Sequence, residues 1–262
     1  MTAKPTVLVT GASTGIGAAY AERFARRGHD LVLVARNVGR MEALADSLRG
    51  ETGVAIDILP ADLADPGERA TVEARLREDG RIDILINNAG TTLPGNFIGQ
   101  STDDIERLVS LNTTAMVRLA HAIAPRLAQS GKGAIVNIGS VVGFAPEFGM
   151  AVYGATKAFA LHLSQALNVQ LGPQGIYVQA VLPATTRTEI WGHAGVDVDT
   201  MGAVMEVDDL VNAALAGFDR REAVTIPPLH DVAKWDAYET ARQAMLPGIS
   251  QSRPADRYLA TA

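Results

Sequence analysis

Val7-Leu8-Val9-Thr10-Gly11-Ala12-Ser13-Thr14-Gly15-Ile16-Gly17 is the stretch that decides how this chain folds. A short apolar run of the buried-strand kind leads into a turn with three glycines, and a helical pattern continues through Arg27. Strand, glycine-rich turn and helix N-terminus in that order make a cradle for a diphosphate. Glycine lets the backbone approach the ligand, and the unpaired N–H groups and helix dipole favour negative charge. A tight turn needing positive φ would explain one glycine but hardly three. Gly11, Ser13, Thr14, Gly15, Ile16 and Gly17 are therefore candidate binding positions.

The turn gains weight from its place at the head of an alternating chain. Apolar runs at 5–10, 30–36, 54–60, 82–87, 134–140, 176–182 and 222–226 alternate with helical patterns near 16–27, 38–49, 67–78, 103–129, 152–171 and 208–218. That alternation, with strands of Val, Ile and Leu, predicts an α/β fold: a single-domain, doubly wound, Rossmann-type parallel sheet of seven strands with helices on both faces. A chain of 262 residues, 47% apolar, fills one core, so a single domain over 1–262 is expected. The rhythm breaks after Ile226. Pro227-Pro228, a helical stretch near 233–246 and a polar end make up a C-terminal extension, 227–262.

A net charge of −6 with no basic cluster argues against nucleic acid as a partner. No apolar stretch approaches membrane-spanning length, and Met1-Thr2-Ala3-Lys4-Pro5 leads straight into the first strand, which leaves no room for a signal peptide. Without cysteine there is neither disulfide nor thiolate chemistry, and a cytoplasmic location is expected. His121, His162 and His193 are isolated and lack metal-ligand spacing, so no metal site is expected.

In open α/β sheets the ligand lies beyond the carboxyl ends of the strands, and polar or small residues collect there. Ala35-Arg36-Asn37 comes after the second strand, where such folds select a ribose. A carboxylate there would bind the 2′-OH of NAD, whereas an arginine accommodates the 2′-phosphate of NADP. Arg36 beside Ala35 thus points to NADP(H), with Ser13, Thr14, Asn37 and Arg40 as possible helpers. Asp62-Leu63 stands where a carboxylate reaches an adenine amino group, and Asn87-Asn88-Ala89-Gly90 where a backbone passes close to a ribose. Ser140 comes after the fifth strand and Pro183-Ala184-Thr185-Thr186-Arg187-Thr188 after the sixth.

Tyr153-Gly154-Ala155-Thr156-Lys157 puts a phenol and an ammonium four positions apart, on one face of a helix. A phenol has an ordinary pKa of about 10 and is a poor acid at neutral pH. A neighbouring positive charge stabilises the phenolate, which would make Tyr153 a proton donor to a carbonyl or an acceptor from an alcohol.

Together these residues identify a resemblance to the short-chain dehydrogenase/reductase superfamily, in its single-domain branch. The matches are Thr-Gly-x-x-x-Gly-Ile-Gly at 10–17, Asn-Asn-Ala-Gly at 87–90, Asn112, Ser140, Tyr153 and Lys157, in order across residues 5 to about 188. The resemblance implies that Tyr153 is the general acid for carbonyl reduction and the base for alcohol oxidation. Lys157 would lower the pKa of Tyr153 and bind the nicotinamide ribose, and Ser140 would polarise the substrate oxygen. Asn112 would hold a water between Lys157 and solvent, and Thr188 would bind the carboxamide. Pro183 and Thr186 would complete the coenzyme site with Asn88, Ala89 and Gly90, and no metal is implied. Pro183-Ala184 departs from the family's usual Pro-Gly, and alanine restricts φ at that turn.

The implied activity is NADP(H)-dependent hydride transfer between the nicotinamide and a carbonyl or secondary alcohol. Its rivals are an NAD(H)-dependent alcohol dehydrogenase of the same family, an epimerase or dehydratase acting on a nucleotide-linked sugar, and a non-catalytic dinucleotide sensor. About 75 residues after Pro183 leave little room for the added substrate domain of the second class, and a sensor has no need of Asn112, Ser140, Tyr153 and Lys157 together. Val141, Val142, Phe144, Phe148 and the loop 184–207, with Ile190, Trp191, His193, Met201 and Met205, suit a mostly hydrophobic small-molecule substrate. Those loop residues equally suit packing on the core or on a neighbouring subunit. Small residues in the helical patterns 103–129 and 152–171 match the helices that, in the resembled family, build a homodimer or homotetramer.

Overall fold

The computed structural model describes residues 4–259, so the expected domain limits at 1 and 262 lie outside the described residues. It divides into two compact units, Met1–Pro227 and Pro228–Ala262.

The first unit alternates strand and helix: β1 (Thr6–Thr10), α1 (Gly15–Arg26), β2 (Leu31–Ala35), α2 (Val38–Thr52), β3 (Ile56–Pro60), α3 (Pro66–Glu78) and β4 (Ile82–Asn87). Then come α4 (Thr102–Val109), α5 (Met116–Ser130), β5 (Ala134–Ile138), α6 (Ala151–Leu171), β6 (Tyr177–Val181), α7 (Ile190–His193), α8 (Val207–Asp219) and β7 (Val224–Thr225). All seven strands pair in parallel in the order β3-β2-β1-β4-β5-β6-β7, the doubly wound sheet that the alternation predicts. The order reverses between β1 and β4, which opens a crevice at their carboxyl ends.

Successive strand residues point to opposite faces, and the strands are apolar at both parities because helices cover both. Val7, Val9 and Leu33 pack with Tyr20, Phe24 and Leu215 on one face, and Leu8, Val32 and Val34 with Leu76, Leu119 and Ile123 on the other. Local chemistry fixes where helices start. Asp65 caps α3 by accepting from the N–H groups of Gly67 (2.8 Å) and Glu68 (2.9 Å), with Pro66 in the first turn. Asn37 caps α2, and Gly53, at φ 72°, ends it.

The helix expected over 103–129 is interrupted. Between α4 and α5 the backbone winds as a π-helix over Ser110–Ala115, which places Asn112 on the buried side. Such turns recur at functional sites. Below it, Asn87 donates to Asn137 (3.0 Å), which in turn donates to Ser164 (2.9 Å), joining β4, β5 and α6 through the core. The loop expected over 184–207 holds α7 and a parallel bridge between Thr186 and Met205.

In the second unit, α9 (Val232–Ala244) is capped by Asp231 and leads into α10 (Leu246–Ile249). Trp235 and Tyr238 stack within α9, with ring centroids 5.1 Å apart.

Candidate active site

A cavity of about 1340 Å³ lies at the carboxyl ends of the strands. One end is the turn between β1 and α1. Gly11 and Gly15 have φ of 65° and 53°, where a side chain is strained. A Cβ on Gly17 would lie 2.2 Å from the Gly11 carbonyl oxygen and 2.5 Å from the Asn88 amide, so this glycine lets helix and turn close together. No side chain caps α1, and its first turn carries no acidic residue. The open helix start faces the cavity through Thr14, Gly15 and Ile16. This donor set fits a diphosphate, as the sequence pattern requires.

Thr10 stitches that turn to the end of β4. Its hydroxyl oxygen accepts from the N–H groups of Asn88 (2.9 Å) and Ala89 (3.0 Å). The Asn88 amide donates back to the Thr10 carbonyl (2.9 Å). At the end of β2, Arg36 is exposed and, among the described residues, forms no ion pair, whereas Arg40 pairs with Glu189. Asp62 lines the cavity, and its carboxylate already accepts from Arg107 (2.5 Å) and from the Ala64 N–H (3.0 Å). Burial works against that charge, but the Ala64 N–H and the Arg107 guanidinium prevail and hold the carboxyl below its ordinary range.

At the other end Ser140, Tyr153 and Lys157 line the cavity together. Lys157, 6% exposed, donates to the Ile138 carbonyl (2.9 Å), and its ammonium sits 5.5 Å from the centre of the Tyr153 ring. The Ser140 hydroxyl, which lines the cavity together with Tyr153, donates to the Pro183 carbonyl at 3.1 Å. Gly143 allows this closeness, since a Cβ there would lie 2.6 Å from the carbonyl carbon of Lys157.

Burial pushes the Tyr153 phenol up to about 12, against the lowering effect of the Ser140 hydrogen bond, and pulls Lys157 down to about 8. The expectation that the ammonium lowers the phenol is thus corrected for the free protein. Desolvation disfavours the charged form of both groups.

Asn112 stands behind the cavity wall rather than in it. Its amide donates to the Thr91 carbonyl (2.9 Å) and the Thr156 hydroxyl (3.1 Å), and its oxygen accepts from the Thr91 N–H (2.9 Å). With both donors and the oxygen engaged, the side chain pins the segment after β4 to α6. Gly17 also lies outside the lining, while every other candidate catalytic or coenzyme-binding residue lines the cavity: Ser13, Asn37, Leu63, Ala89, Gly90, Pro183, Thr186 and Thr188 among them. Phe144 and Met205 do not, whereas Val141, Val142, Phe148, Ile190, Trp191, His193 and Met201 do. Ala184 costs nothing at the unusual Pro-Ala turn, because its φ is not positive. Thr91, Arg107, Leu111 and Met150 are lining residues that sequence reasoning missed, since none belongs to a local pattern.

Residues 5–198 match the family model for short chain dehydrogenases. The chain belongs to the short-chain dehydrogenase/reductase superfamily. Among these dehydrogenases, sulfoacetaldehyde reductase of Chromohalobacter salexigens is 39% identical over 189 residues, 70% of this chain and 73% of the relative. The structure of a short-chain dehydrogenase from Sphingobium yanoikuyae in complex with NADPH superposes with a TM-score of 0.95. It is 68% identical and covers 97% of this chain and 100% of its own. A bulky-bulky ketone specific alcohol dehydrogenase from Comamonas testosteroni superposes with a TM-score of 0.93 at 59% identity, over 99% of this chain and 100% of that one.

Proposed function

We propose that this dehydrogenase is an NADP(H)-dependent oxidoreductase interconverting a carbonyl compound and its secondary alcohol. The observation that carries the reading is one cavity joining an uncapped helix N-terminus and an unpaired Arg36 to Ser140, Tyr153 and Lys157. When bound, the nicotinamide coenzyme would supply or accept the hydride. Gly11, Ser13, Thr14, Gly15 and Ile16 would hold its diphosphate, Arg36 and Asn37 its 2′-phosphate, and Asp62 and Leu63 its adenine. Asn88, Ala89, Gly90 and Lys157 would hold its riboses, and Pro183, Thr186 and Thr188 its carboxamide end.

Tyr153 gives its proton to the substrate oxygen in reduction and takes one back in oxidation. A phenol raised to about 12 stays protonated at neutral pH, as the donor in reduction must. Ser140 turns its hydroxyl from the Pro183 carbonyl to the substrate oxygen, stabilising charge that develops there. Lys157 at about 8 is still mostly an ammonium at pH 7 and favours the phenolate once Tyr153 has given up its proton. Asn112 acts as a positioning residue.

Both the apolar lining by Val141, Val142, Phe148, Met150, Trp191 and Met201 and the likeness to a bulky-bulky ketone specific enzyme support a ketone flanked by two large apolar groups. Loss of NADPH absorbance with ketones graded in size tests this. Turnover is expected to rise with the bulk of both substituents. No NADPH consumption across the panel would overturn the reading, and turnover confined to small ketones would overturn the substrate class. We also propose a homodimer or homotetramer contact on the helices within 103–129 and 152–171; on α6, Phe159 and Val169 are 37% and 77% exposed. A clean monomer on sedimentation at micromolar concentration would remove that assignment.

A further inference from the structure

After β6 the chain runs as a strap from Pro183 to Ile190 along the cavity. Its outer end is tied to the opposite side of the sheet. One guanidinium nitrogen of Arg40, in the first turn of α2, lies 3.0 and 2.9 Å from the two carboxylate oxygens of Glu189. In the sheet order, β2, which leads into α2, and β6, which leads into the strap, are separated by β1, β4 and β5. The ion pair therefore crosses the crevice from one bank to the other. Between its ends the strap lies on the glycine turn: a Cβ on Gly15 would be 3.2 Å from the Thr188 methyl. At its base the Pro183 carbonyl accepts from the Val141 N–H (2.9 Å) and the Ser140 hydroxyl (3.1 Å). Beyond that, the strap's bonds run within its own loop, from Met205 N–H to the Thr185 carbonyl (2.9 Å) and from Trp191 to the Thr186 carbonyl (2.7 Å). They hold its shape without fastening it to the α2 side.

We infer that Arg40 and Glu189 form a clasp that keeps the strap over a bound dinucleotide and sets how fast the coenzyme leaves. The inference rests on the coenzyme reading above. Any dinucleotide seated on the glycine turn lies beneath Thr188, so it exits only when the strap lifts, and lifting parts Arg40 from Glu189. Both side chains are about half exposed, at 50% and 62%, which places the pair among surface ion pairs of modest strength that salt weakens. Arg40 also stands near Arg36, so a role confined to the 2′-phosphate is the competing account. The two accounts differ for NADH, which has no such phosphate.

The test is stopped-flow displacement of NADPH and of NADH from the wild-type protein, Glu189→Gln, Arg40→Gln and the double variant. The clasp predicts that Glu189→Gln releases both coenzymes about two- to fivefold faster. It also predicts that the double variant releases NADH no faster than either single one, and that sodium chloride speeds release from wild type more than from Glu189→Gln. Unchanged release from Glu189→Gln, or release slowed for NADPH alone, would overturn the clasp. If neither coenzyme binds the wild-type protein, the coenzyme assignment itself fails, and the clasp with it.

Discussion

The floor of the cavity and the strap that crosses it differ in what holds their polar groups. On the floor, Asn112 and Lys157 are 2% and 6% exposed and bonded to Thr91, Thr156 and Ile138. In the strap and its loop, Arg187 pairs with Asp199 and Glu206, and Glu189 with Arg40, all of them exposed. Buried hydrogen bonds to charged groups are costly to break, whereas exposed ion pairs contribute about 0–1 kcal/mol. Proton transfer needs fixed geometry, and entry and exit need a part that yields. On the proposed function these demands fall on different regions, and a set of substitutions can strike at each side of that division.

The largest effect belongs to the floor. Tyr153→Phe keeps the ring and removes the proton donor, so kcat should fall about 10²–10⁴-fold while NADPH affinity stays within a fewfold. Steady-state rates with titration of coenzyme fluorescence measure both. Substantial residual turnover would mean that the proton comes from elsewhere in the cavity.

Next comes the coenzyme bank. Arg36→Gln with Ala35→Asp should reverse the preference from NADP(H) to NAD(H), since a charge-assisted contact of this kind is worth about 1.5–3 kcal/mol, or roughly 10- to 150-fold. Dissociation constants for both coenzymes in both proteins decide it. Equal affinities in the wild type would detach Arg36 from the site.

Much of this was legible because it is written locally. Val, Ile and Leu runs between helical patterns specify the sheet, and Gly11, Gly15 and Gly17 specify the cradle, each within a few residues of one another. What escaped is long-range. Arg107 meets Asp62 across 45 positions and Arg40 meets Glu189 across 149, and no spacing rule announces either pair. The π-helical turn at Ser110–Ala115 was hidden because its residues also fit an ordinary helix. The sign of the Tyr153 shift was missed for another reason: it is set by burial, a property of the packed fold that local spacing does not reveal.

That burial makes a smaller prediction about the floor. Lys157 has its pKa lowered from 10.5 to about 8 in the folded protein. Between these values the unfolded chain binds a proton that the folded chain does not, so this group makes stability rise with pH across that window and flat below it. Lys157→Met removes the penalty. Its gain in Tm over wild type, measured without coenzyme, should therefore be larger at pH 7.5 than at pH 9.5. Above pH 10 the raised phenol of Tyr153 acts in the opposite direction, so the comparison belongs below it. A gain that does not change with pH would show that the ammonium is solvated and the floor wetter than its burial indicates.

The smallest effect separates the two regions most directly. The strap's backbone bonds, Arg187 N–H to the Met205 carbonyl and Met205 N–H to the Thr185 carbonyl, both 2.9 Å, sit beside the ion pairs of Arg187 with Asp199 and Glu206. If those exposed pairs are what hold the loop closed, salt should loosen it. Raising sodium chloride from low to molar concentration shortens the screening length from about 10 Å or more to about 3 Å. Amide exchange at Arg187 and Met205 should then speed up a fewfold. Exchange at Thr91, whose N–H is held by the buried Asn112, should not move. Arg187→Gln should mimic high salt at the two strap amides and abolish most of the further response. Equal sensitivity at all three amides would erase the distinction between floor and strap. Insensitivity at all three would mean that the exposed ion pairs do not hold the loop, and that its backbone bonds and the Trp191 hydrogen bond to the Thr186 carbonyl suffice.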